Sequence, residues 1–576
     1  MFSKVLDIFS KPTAKWFSEK LGEPTEVQKE AWPAIMNGQS VLVSAPTGTG
    51  KTLSAFLTFI DQLMQQSAEG TLSEGVQLVY ISPLKSLAAD IRENLLRPLE
   101  QIEYTGKEIK TAVRTGDTTQ KERQQMVKHP PHVLITTPES LFLMLTSTSG
   151  QKVLKTARAV VIDELHALID TNRAAHLLFS IARLERLCGR KLQRIGLSAT
   201  IEPLKLAAEW LSPDVVTVVA PKMKKKIEIT VVGTTPQNGR KKDPIWEELA
   251  KNVYERCQGK RSVIAFSEAR RYAEKLAYYV NQIAGEDFAR VHHGSLSKEQ
   301  RFAVEEALRN GNLRLLCATS SMELGIDVGE IDEVLQIGCP RTVSSAMQRL
   351  GRAGHNPGRT SVMMMYPRTA PEGLNCGMTA SLALQGTVEN ARPPRLCLDV
   401  LAQHLVSMAA NAKRTFCDEK AAENNADSAA YSVDEVLELT KRAWSFQGID
   451  RQTVKKLLSM LAGDYEHNRE IPVRPRVIYD RIHELVYPDP YSRMLAVAAG
   501  GTIPDKGMYA AKTLDGVKVG ELDEEFVFES YVGDRFLLGS FGWRMVGQDK
   551  DTVFVEPASA DSARIPFWHG DIKGRN

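Results

Sequence analysis

The sequence of 576 residues contains only seven cysteines, and no two of them have C-x-x-C spacing. Scattered cysteines without a histidine cluster argue against a disulfide framework and a tetrahedral zinc site. No apolar run has the length of a bilayer span, and segment 1–17 mixes charged and apolar residues too closely for a signal peptide. We therefore expect a cytoplasmic protein with no membrane partner.

An excess of charge of one sign is also missing, because 73 Lys and Arg residues stand against 70 Asp and Glu residues. Proteins that coat nucleic acid are usually far more basic. The net charge therefore neither supports nor excludes a nucleic-acid partner, which would need a local basic track. The lysine-rich stretch 221–243 is either a solvated linker or a patch that contacts phosphates.

The chain is too long for one hydrophobic core, and its apolar patterning predicts an α/β fold class with several domains. Near-continuous apolar runs that alternate with helical spacing predict parallel sheets covered on both faces. These candidate strands are 41–45, 78–82, 132–137, 159–164, 195–200, 262–267, 313–320 and 333–338. Helical spacing then dominates at 398–410, 433–444 and 450–461, and short strands follow residue 493. The predicted domains are lobe 1 (1–220), lobe 2 (221–390), a helical module of winged-helix type (391–490) and a β-rich domain (491–576).

The segment APTGTGKT, residues 45–52, lies between a predicted strand and a predicted helix. Its glycines, Gly48 and Gly50, allow several backbone N–H groups to point inward as an anion cradle. Lys51 can reach the β- and γ-phosphates of ATP, and Thr52 can offer a hydroxyl to Mg²⁺. The segment predicts a nucleotide-binding loop.

Two adjacent acids, Asp163 and Glu164, end another predicted strand in the segment AVVIDELH. Mg²⁺ prefers oxygen ligands, so Asp163 is the expected metal residue. Glu164 is the expected base that orients and deprotonates the attacking water. A plain helix N-cap is the alternative interpretation of two such acids.

The predicted second lobe carries two further motifs, ATSSMELGID at 318–327 and QRLGRAGH at 348–355. Phosphoryl transfer is accelerated by a guanidinium that a separate element delivers. Arg352 is the expected finger, and Gln348 and Arg349 are expected to tie lobe 2 to the phosphates and to Asp163. A surface arginine cluster is the alternative.

These motifs, together with Thr25–Gln28, SPLKSLAAD, RTGDT, TTPESL, SAT, AFSEARR and HHGSLS, occur in an order that resembles superfamily 2 DExH helicases. The details DELHAL, SATIEP and the downstream GTIPDKGMYA to IPFWHGD resemble the Lhr (large helicase-related) branch. The resemblance implies two tandem RecA-like lobes, with a winged-helix-type module and a β-rich domain. It implies the following ATP contacts: Gln28 (adenine), Gly48, Thr49, Gly50, Lys51, Thr52, Asp163, Glu164, Gly325, Ile326, Asp327, Arg349, Arg352 and His355.

The same resemblance implies ATP- and Mg²⁺-dependent 3′-to-5′ translocation on single-stranded DNA, unwinding of DNA or RNA–DNA duplexes, and a role in DNA repair. Two features depart from the family pattern. The last motif ends in His355, where many DExH relatives have arginine, which weakens a second finger if the imidazole is neutral. Lhr cores also extend beyond IPFWHGD, so we expect the β-rich domain to be incomplete.

Loops at the strand ends away from ATP are expected to line a groove for one nucleic-acid strand. Hydroxyls and backbone N–H groups suit phosphate contact without sequence readout. The candidates are Ser82, Pro83, Lys85, Arg114, Thr115, Thr137, Glu139, Arg270, Arg271, His293, Thr319 and Ser320, each with a capped turn as its alternative. Trp543 is expected either to stack on a base or to lie in a core. His166 is expected to couple the ATP cleft to lobe 2.

Two other functions fit the same motifs. An ATP-dependent remodeller or strand annealer would move but unwind little. A nucleic-acid clamp would use ATP only as a switch, although Lys51, Glu164 and Arg352 together argue for hydrolysis.

Overall fold

The computed structural model describes residues 4–46, 48–83, 91–221, 226–233, 243–323, 329–354, 360–411, 431–464, 474–502, 507–561 and 563–568. Its first sheet is parallel throughout, with seven strands in the order β3-β4-β2-β5-β6-β1-β7. The strands are β1 (Ser40–Ser44), β2 (Leu78–Ile81), β3 (Thr111–Arg114), β4 (Val133–Thr136), β5 (Ala159–Ile162), β6 (Gln193–Ser198) and β7 (Val216–Val219).

Apolar clusters cover both faces of this sheet, as its buried central strands require. The helices are Lys11–Lys20, Glu26–Met36, Lys51–Ala68, Arg97–Gln101, Gln120–Lys128, Pro138–Leu145, Thr148–Leu154, Leu165–Leu168, Asn172–Cys188 and Leu204–Leu211, with a 3₁₀ turn at Lys4–Ile8 and a π-helical turn at Arg92–Leu96. Several begin at a Ser or Thr whose side chain accepts a hydrogen bond from the first turn. The sequence itself therefore marks these helix starts.

The second sheet is also parallel, with six strands in the order β10-β11-β9-β12-β13-β8. The strands are β8 (Ile227–Val231), β9 (Val263–Ser267), β10 (Ala289–His292), β11 (Leu315–Ala318), β12 (Glu333–Ile337) and β13 (Ser361–Tyr366). The helices are Pro244–Cys257, Arg270–Ala284, Lys298–Arg309, Val343–Leu350 and Ala370–Gln385, with a 3₁₀ turn at Ser320–Met322. Two parallel sheets, each packed on both faces, confirm the predicted pair of RecA-like lobes.

A helical module and a β-rich domain follow the lobes, as predicted. The module has the helices Leu398–Ala410, Val433–Lys441, Arg451–Leu461 and Ser492–Ala498, a 3₁₀ turn at Trp444–Phe446, and a small sheet of β14 (Tyr431–Ser432), β15 (Val477–Asp480) and β16 (Leu485–Pro488). The β-rich domain has β17 (Met508–Thr513), β18 (Lys518–Asp523), β19 (Arg535–Leu538), β20 (Phe541–Asp549) and β21 (Thr552–Pro557), with the short helix Glu524–Phe528.

The chain divides into two compact units. One consists of Met1–Ala45, Thr49–Pro221 and Asn390–Pro504, and the other of Pro46–Gly48, Lys222–Glu389 and Asp505–Asn576. In the first unit, the apolar core of lobe 1 continues into the helical module. In the second, the core of the β-rich domain includes Leu296 of lobe 2. None of the helices in the described ranges is both long and apolar enough to cross a bilayer.

Five strands of the lobes were not predicted, and four of them, β3, β7, β8 and β10, are the edge strands of the two sheets. An edge strand packs against a neighbour on one side only, so it needs no continuous apolar run. The fifth, β13, is interior, but its run Met363–Met365 consists of residues that favour helix.

The shared core of the first unit yields a stability prediction. Phe446 of the helical module is fully buried, and its ring lies 5.1 Å from that of Phe179 in the helix Asn172–Cys188. We expect Phe446→Ala to lower the free energy of opening of this helix by about 3–5 kcal/mol, since it removes apolar contacts and leaves a cavity. Native-state hydrogen exchange of the helix amides measures this change. Phe302→Ala is the matched control, because Phe302 is 62 % exposed. A loss below about 1 kcal/mol for Phe446→Ala would contradict a shared core.

Candidate nucleotide site and nucleic-acid interface

The predicted nucleotide-binding loop joins β1 to the helix Lys51–Ala68. Gly48 and Gly50 both have a φ of 79°, a left-handed conformation that favours glycine, and Gly50 is the N-cap of the helix. The Lys51 Nζ donates a hydrogen bond of 2.6 Å to the carbonyl oxygen of Ala45. The lysine therefore lies over the loop, beside the helix N-terminus, where an anionic phosphate is favoured.

Gln28, the residue expected to recognise adenine, packs against this loop. Thr25 and Gln28 form a capping box at the start of the helix Glu26–Met36. The Thr25 hydroxyl donates to the carbonyl oxygen of Thr49 at 2.9 Å. A Cβ atom on Gly50 would lie 2.5 Å from Gln28 Nε2. The N-terminal helix and the loop are thus fixed against each other.

The acid pair lies at the end of β5, two strands from β1 in the same sheet. Asp163 is 5 % exposed and accepts hydrogen bonds from the Tyr80 hydroxyl and from the Glu164 N–H, the latter at 2.8 Å. Burial and then the charge of Glu164 raise the pKa of Asp163 to about 7, although the hydrogen bonds from Tyr80 and the Glu164 N–H and the charge of Lys51 counteract the shift. A buried carboxylate of this kind suits Mg²⁺, since a divalent cation would favour the charged form.

Glu164 has a left-handed φ of 49° and is followed by the short helix Leu165–Leu168. The Nδ1 atom of His166 accepts a hydrogen bond of 3.0 Å from the Ala199 N–H, so the proton lies on Nε2. That Nε2 atom is 3.5 Å from a carboxylate oxygen of Glu164. His166 therefore links the expected base to the segment after β6, a contact within lobe 1 that its sequence position did not predict.

The structure corrects the role expected for Arg349. Its guanidinium is 2 % exposed and donates to Glu323 at 2.9 Å, to Gln336 at 2.8 Å and to Glu268. These partners neutralise it inside lobe 2, so it is not available to phosphates in this structure. Gln348 donates to Ser344 at 3.3 Å, and Arg352 is buried just after the helix Val343–Leu350. The predicted residues Gly325, Ile326, Asp327 and His355 lie outside the described residues.

In lobe 1, Arg114 at the end of β3 has the partial burial and, within the part of the chain that the structure describes, the unpartnered guanidinium nitrogen that suit contact with a phosphate. Burial and the nearby charge of Arg123 lower the pKa of the Arg114 guanidinium. Its Nη1 atom has no protein partner among the described residues. Thr137 uses its hydroxyl to cap the helix Pro138–Leu145, so the capped turn is present and its phosphate contact stays a prediction. Lys85 lies outside the described residues.

Arg173 is not one of the predicted residues, but it holds two candidate segments of lobe 1 together. Its guanidinium donates to the carbonyl oxygen of Pro83 at 2.7 Å and forms a two-point ion pair with Glu139. Glu139 is therefore a structural partner of Arg173. Arg173 lies in an ordinary-looking helix, so no local signal in the sequence could have marked it.

In lobe 2, Arg271 is exposed and Thr319 is half-buried, so both stay candidates for nucleic-acid contact. Arg270 donates to the Ser295 hydroxyl at 2.5 Å and lies over the ring of Trp568. The prediction for His293 is corrected. His293 is fully buried, and its Nε2 lies 3.0 Å from Glu274, so it faces a carboxylate instead of a groove.

Trp543 lies in the core of the β-rich sheet. It is 8 % exposed, and its indole N–H donates to the carbonyl oxygen of Leu538 at 3.0 Å. Of the two alternatives for this residue, the structure therefore favours the core position over stacking on a base.

Comparison with known proteins identifies the class. The family model of the DEAD/DEAH box helicases matches residues 25–207, and that of the helicase conserved C-terminal domain matches 245–356. The model of the winged helix domain of large helicase-related protein matches 382–565. Both lobes and the region after them therefore belong to a DEAD/DEAH-type helicase.

The relatives narrow this class to one family. The chain is 38 % identical to an Lhr helicase/probable uracil glycosylase of Mycolicibacterium smegmatis over 98 % of its own length, and 36 % identical to the Lhr helicase/uracil glycosylase of Escherichia coli over 99 %. It spans about two fifths of the length of these relatives (39 % and 40 %). The solved structure of Mycobacterium smegmatis helicase Lhr bound to ssDNA and AMP-PNP matches with a TM-score of 0.77 and 38 % identity, over 94 % of this chain and 68 % of that one. The chain belongs to the Lhr family of ATP-dependent helicases.

The contact between Gly50 and Gln28 yields a prediction for nucleotide binding. We expect Gly50→Ala to weaken ATP binding about tenfold or more, because the added Cβ displaces Gln28 and strains a left-handed position. Titration with a fluorescent ATP analogue measures the change. Gly38→Ala is the matched control, since Gly38 has a φ of 73° with nothing within 4 Å of the added Cβ. An ATP affinity for Gly50→Ala equal to that of Gly38→Ala would contradict a role of the Gly50–Gln28 contact in nucleotide binding.

Proposed function

We propose that this chain hydrolyses ATP with Mg²⁺ to move 3′-to-5′ along single-stranded DNA and to separate DNA or RNA–DNA duplexes, as part of DNA repair. The observation that carries the proposal is the pair of buried Asp163 and half-buried Glu164, which shares one sheet edge with the Lys51 loop and is linked through His166 to the segment after β6. A purely structural helix cap would not need a desolvated carboxylate beside a phosphate-binding loop.

In the proposed reaction, Thr52 and Asp163 are the residues that would hold Mg²⁺, and the ion would supply positive charge that neutralises the bound triphosphate. Lys51 leaves its contact with the Ala45 carbonyl and binds the β- and γ-phosphates. Glu164 orients the attacking water and takes its proton, and His166, whose Nε2 lies 3.5 Å from that carboxylate, holds it in place. Gln28 recognises the adenine base.

Lobe 2 contributes Arg352 as the finger that stabilises the charge of the transferring phosphoryl group. The ion pairs of Arg349 with Glu268 and Glu323 give this residue a supporting role, because they hold the helix that precedes the finger. Delivery of Arg352 from a second lobe couples hydrolysis to movement between the lobes. Gln348, Asp327 and His355 complete the proposed ATP contacts of lobe 2.

We propose that the single nucleic-acid strand contacts Arg114 in lobe 1 and Arg271 and Thr319 in lobe 2. The half-buried guanidinium of Arg114 near Arg123 would gain most from a phosphate, since the two cations repel each other without one. The Mycobacterium smegmatis relative was solved with ssDNA, which supports the same partner class for this chain.

The test compares strand displacement from duplexes with a 3′ tail and with a 5′ tail, both as DNA–DNA and RNA–DNA hybrids of one sequence. We expect displacement from the 3′-tailed substrates only, together with ATP hydrolysis that single-stranded DNA stimulates. Stimulated hydrolysis without displacement would instead indicate a remodeller or annealer. Binding without hydrolysis would indicate a clamp.

The assignment of the base gives a direct mutational prediction. Glu164→Gln should reduce DNA-stimulated ATP turnover by about 100-fold or more and leave ATP affinity within about threefold, because the amide cannot accept the proton of water. A coupled phosphate-release assay and an ATP-analogue titration measure the two effects. Glu209→Gln, at an exposed position of lobe 1, is the matched control and should behave as the unmodified chain does. Turnover near that of the control would refute the role of Glu164.

A further inference from the structure

The β-rich domain is joined to lobe 2 by main-chain hydrogen bonds at the loop that follows β10. The Glu521 N–H donates to the Ser295 carbonyl at 2.7 Å, and the Ser297 N–H donates to the Val519 carbonyl at 3.2 Å. Between them, Leu296 and Gly520 form an antiparallel bridge. A Cβ on Gly520 would lie 2.6 Å from the Ser295 carbonyl oxygen, so only glycine lets the two main chains come this close together. The loop thus extends the edge of the β-rich sheet.

A single carboxylate adds a second connection. Glu274 lies in the helix Arg270–Ala284 of lobe 2 and has no exposed surface. It accepts hydrogen bonds from the Gly539 N–H at 2.7 Å, from the Ser540 N–H at 3.1 Å and from His293 Nε2 at 3.0 Å. The Nδ1 of His293 accepts from the Ser295 N–H, which places the ring proton on Nε2. All the partners of Glu274 are therefore donors.

The two main-chain donors form the turn of the hairpin between β19 and β20. Gly539 has a φ of 70° and Ser540 a φ of 71°, as in a two-residue turn of type I′. Serine is costly at a positive φ, and both N–H groups of this turn point the same way. The carboxylate of Glu274 satisfies both of them, so it fixes the orientation of the hairpin on lobe 2.

Glu274 is also one helical turn from the arginines expected to contact nucleic acid. Arg271 is exposed near the helix start, and Arg270 lies 5.5 Å from the centroid of the Trp568 ring. The Trp568 indole N–H donates to the Glu521 carbonyl at 3.2 Å. The same helix therefore provides the expected contacts with the nucleic-acid strand at its start and the contact with the β-rich domain at its second turn.

We infer that Glu274 is a positioning residue that makes the β-rich domain move with the nucleic-acid contacts of lobe 2, so that each ATP-driven movement of the lobe is transmitted to the duplex. This inference rests on the proposed translocase function. His293 serves the same connection, which accounts for its burial. The carboxylate takes no part in ATP chemistry, so its loss should separate hydrolysis from strand separation.

The test uses Glu274→Gln in the full chain. The amide supplies one acceptor oxygen for three donors, and its NH₂ group faces another donor. We expect the number of base pairs separated per ATP hydrolysed to fall about tenfold, with DNA-stimulated hydrolysis within about threefold of the unmodified chain. Glu333→Gln is the matched control. Glu333 is an equally buried carboxylate of lobe 2, but its partners Arg256 and Lys260 belong to lobe 2 alone.

Hydrogen exchange provides a readout that a general loss of stability would not reproduce. In Glu274→Gln, the amides of Gly539, Ser540 and β18 should exchange faster, while those of β9 and β12 stay protected. Faster exchange in β9 and β12 would make Glu274 a residue of the lobe fold and would overturn the inference. A ratio of strand separation to hydrolysis equal to that of Glu333→Gln would also overturn it. If the unmodified chain separates no duplex and moves on no strand, the proposed function itself has failed.

Discussion

The parallel order β5-β6-β1 is the constraint on which the proposed chemistry depends. Parallel strands bring all their carboxyl ends to one edge, and Ser44 at the end of β1 pairs with Ser198 of β6, while Ile162 at the end of β5 pairs with Gly196. The nucleotide-binding loop and the acid pair therefore emerge about 10 Å apart, two strand spacings, a distance that a triphosphate with its metal can span. Everything else in the site refines this placement.

The central strands and the nucleotide-binding loop could be predicted from the sequence, because each of them has a local sequence pattern. Continuous apolar runs such as 41–43 and Ala159–Ile162 are typical of strands buried on both faces, and a lysine after two glycines directly after such a strand is typical of a phosphate-binding loop. Edge strands such as β3 lack that local signature, since their partner on one side is solvent. Their existence depends on a neighbouring strand that lies elsewhere in the chain.

The two predicted site residues that have other partners in the structure share a physical reason. Arg349 meets Glu268 and Glu323, which lie 81 and 26 residues away in the chain, and His293 faces Glu274, which lies 19 residues away. A motif fixes the type of a side chain and its element, but the partner that neutralises it is set by tertiary packing. Polar groups inside a protein must be paired, so a distant carboxylate can take an arginine or a histidine away from the ligand that its motif suggests.

Buried carboxylates also explain how the accessory regions are oriented, which apolar packing alone does not. Glu185 in lobe 1 pairs with Arg194 at 2.9 Å and with Arg442 of the helical module at 2.5 Å. Burial alone would raise the pKa of Glu185, but the two guanidiniums outweigh it and lower the pKa below its usual value. Glu274 performs the same task in the other unit with N–H donors. Apolar residues could replace a whole buried ion pair at little cost in stability, but apolar contact has no direction. The proposed transmission of movement needs such direction, and a desolvated carboxylate with all its donors in place supplies it.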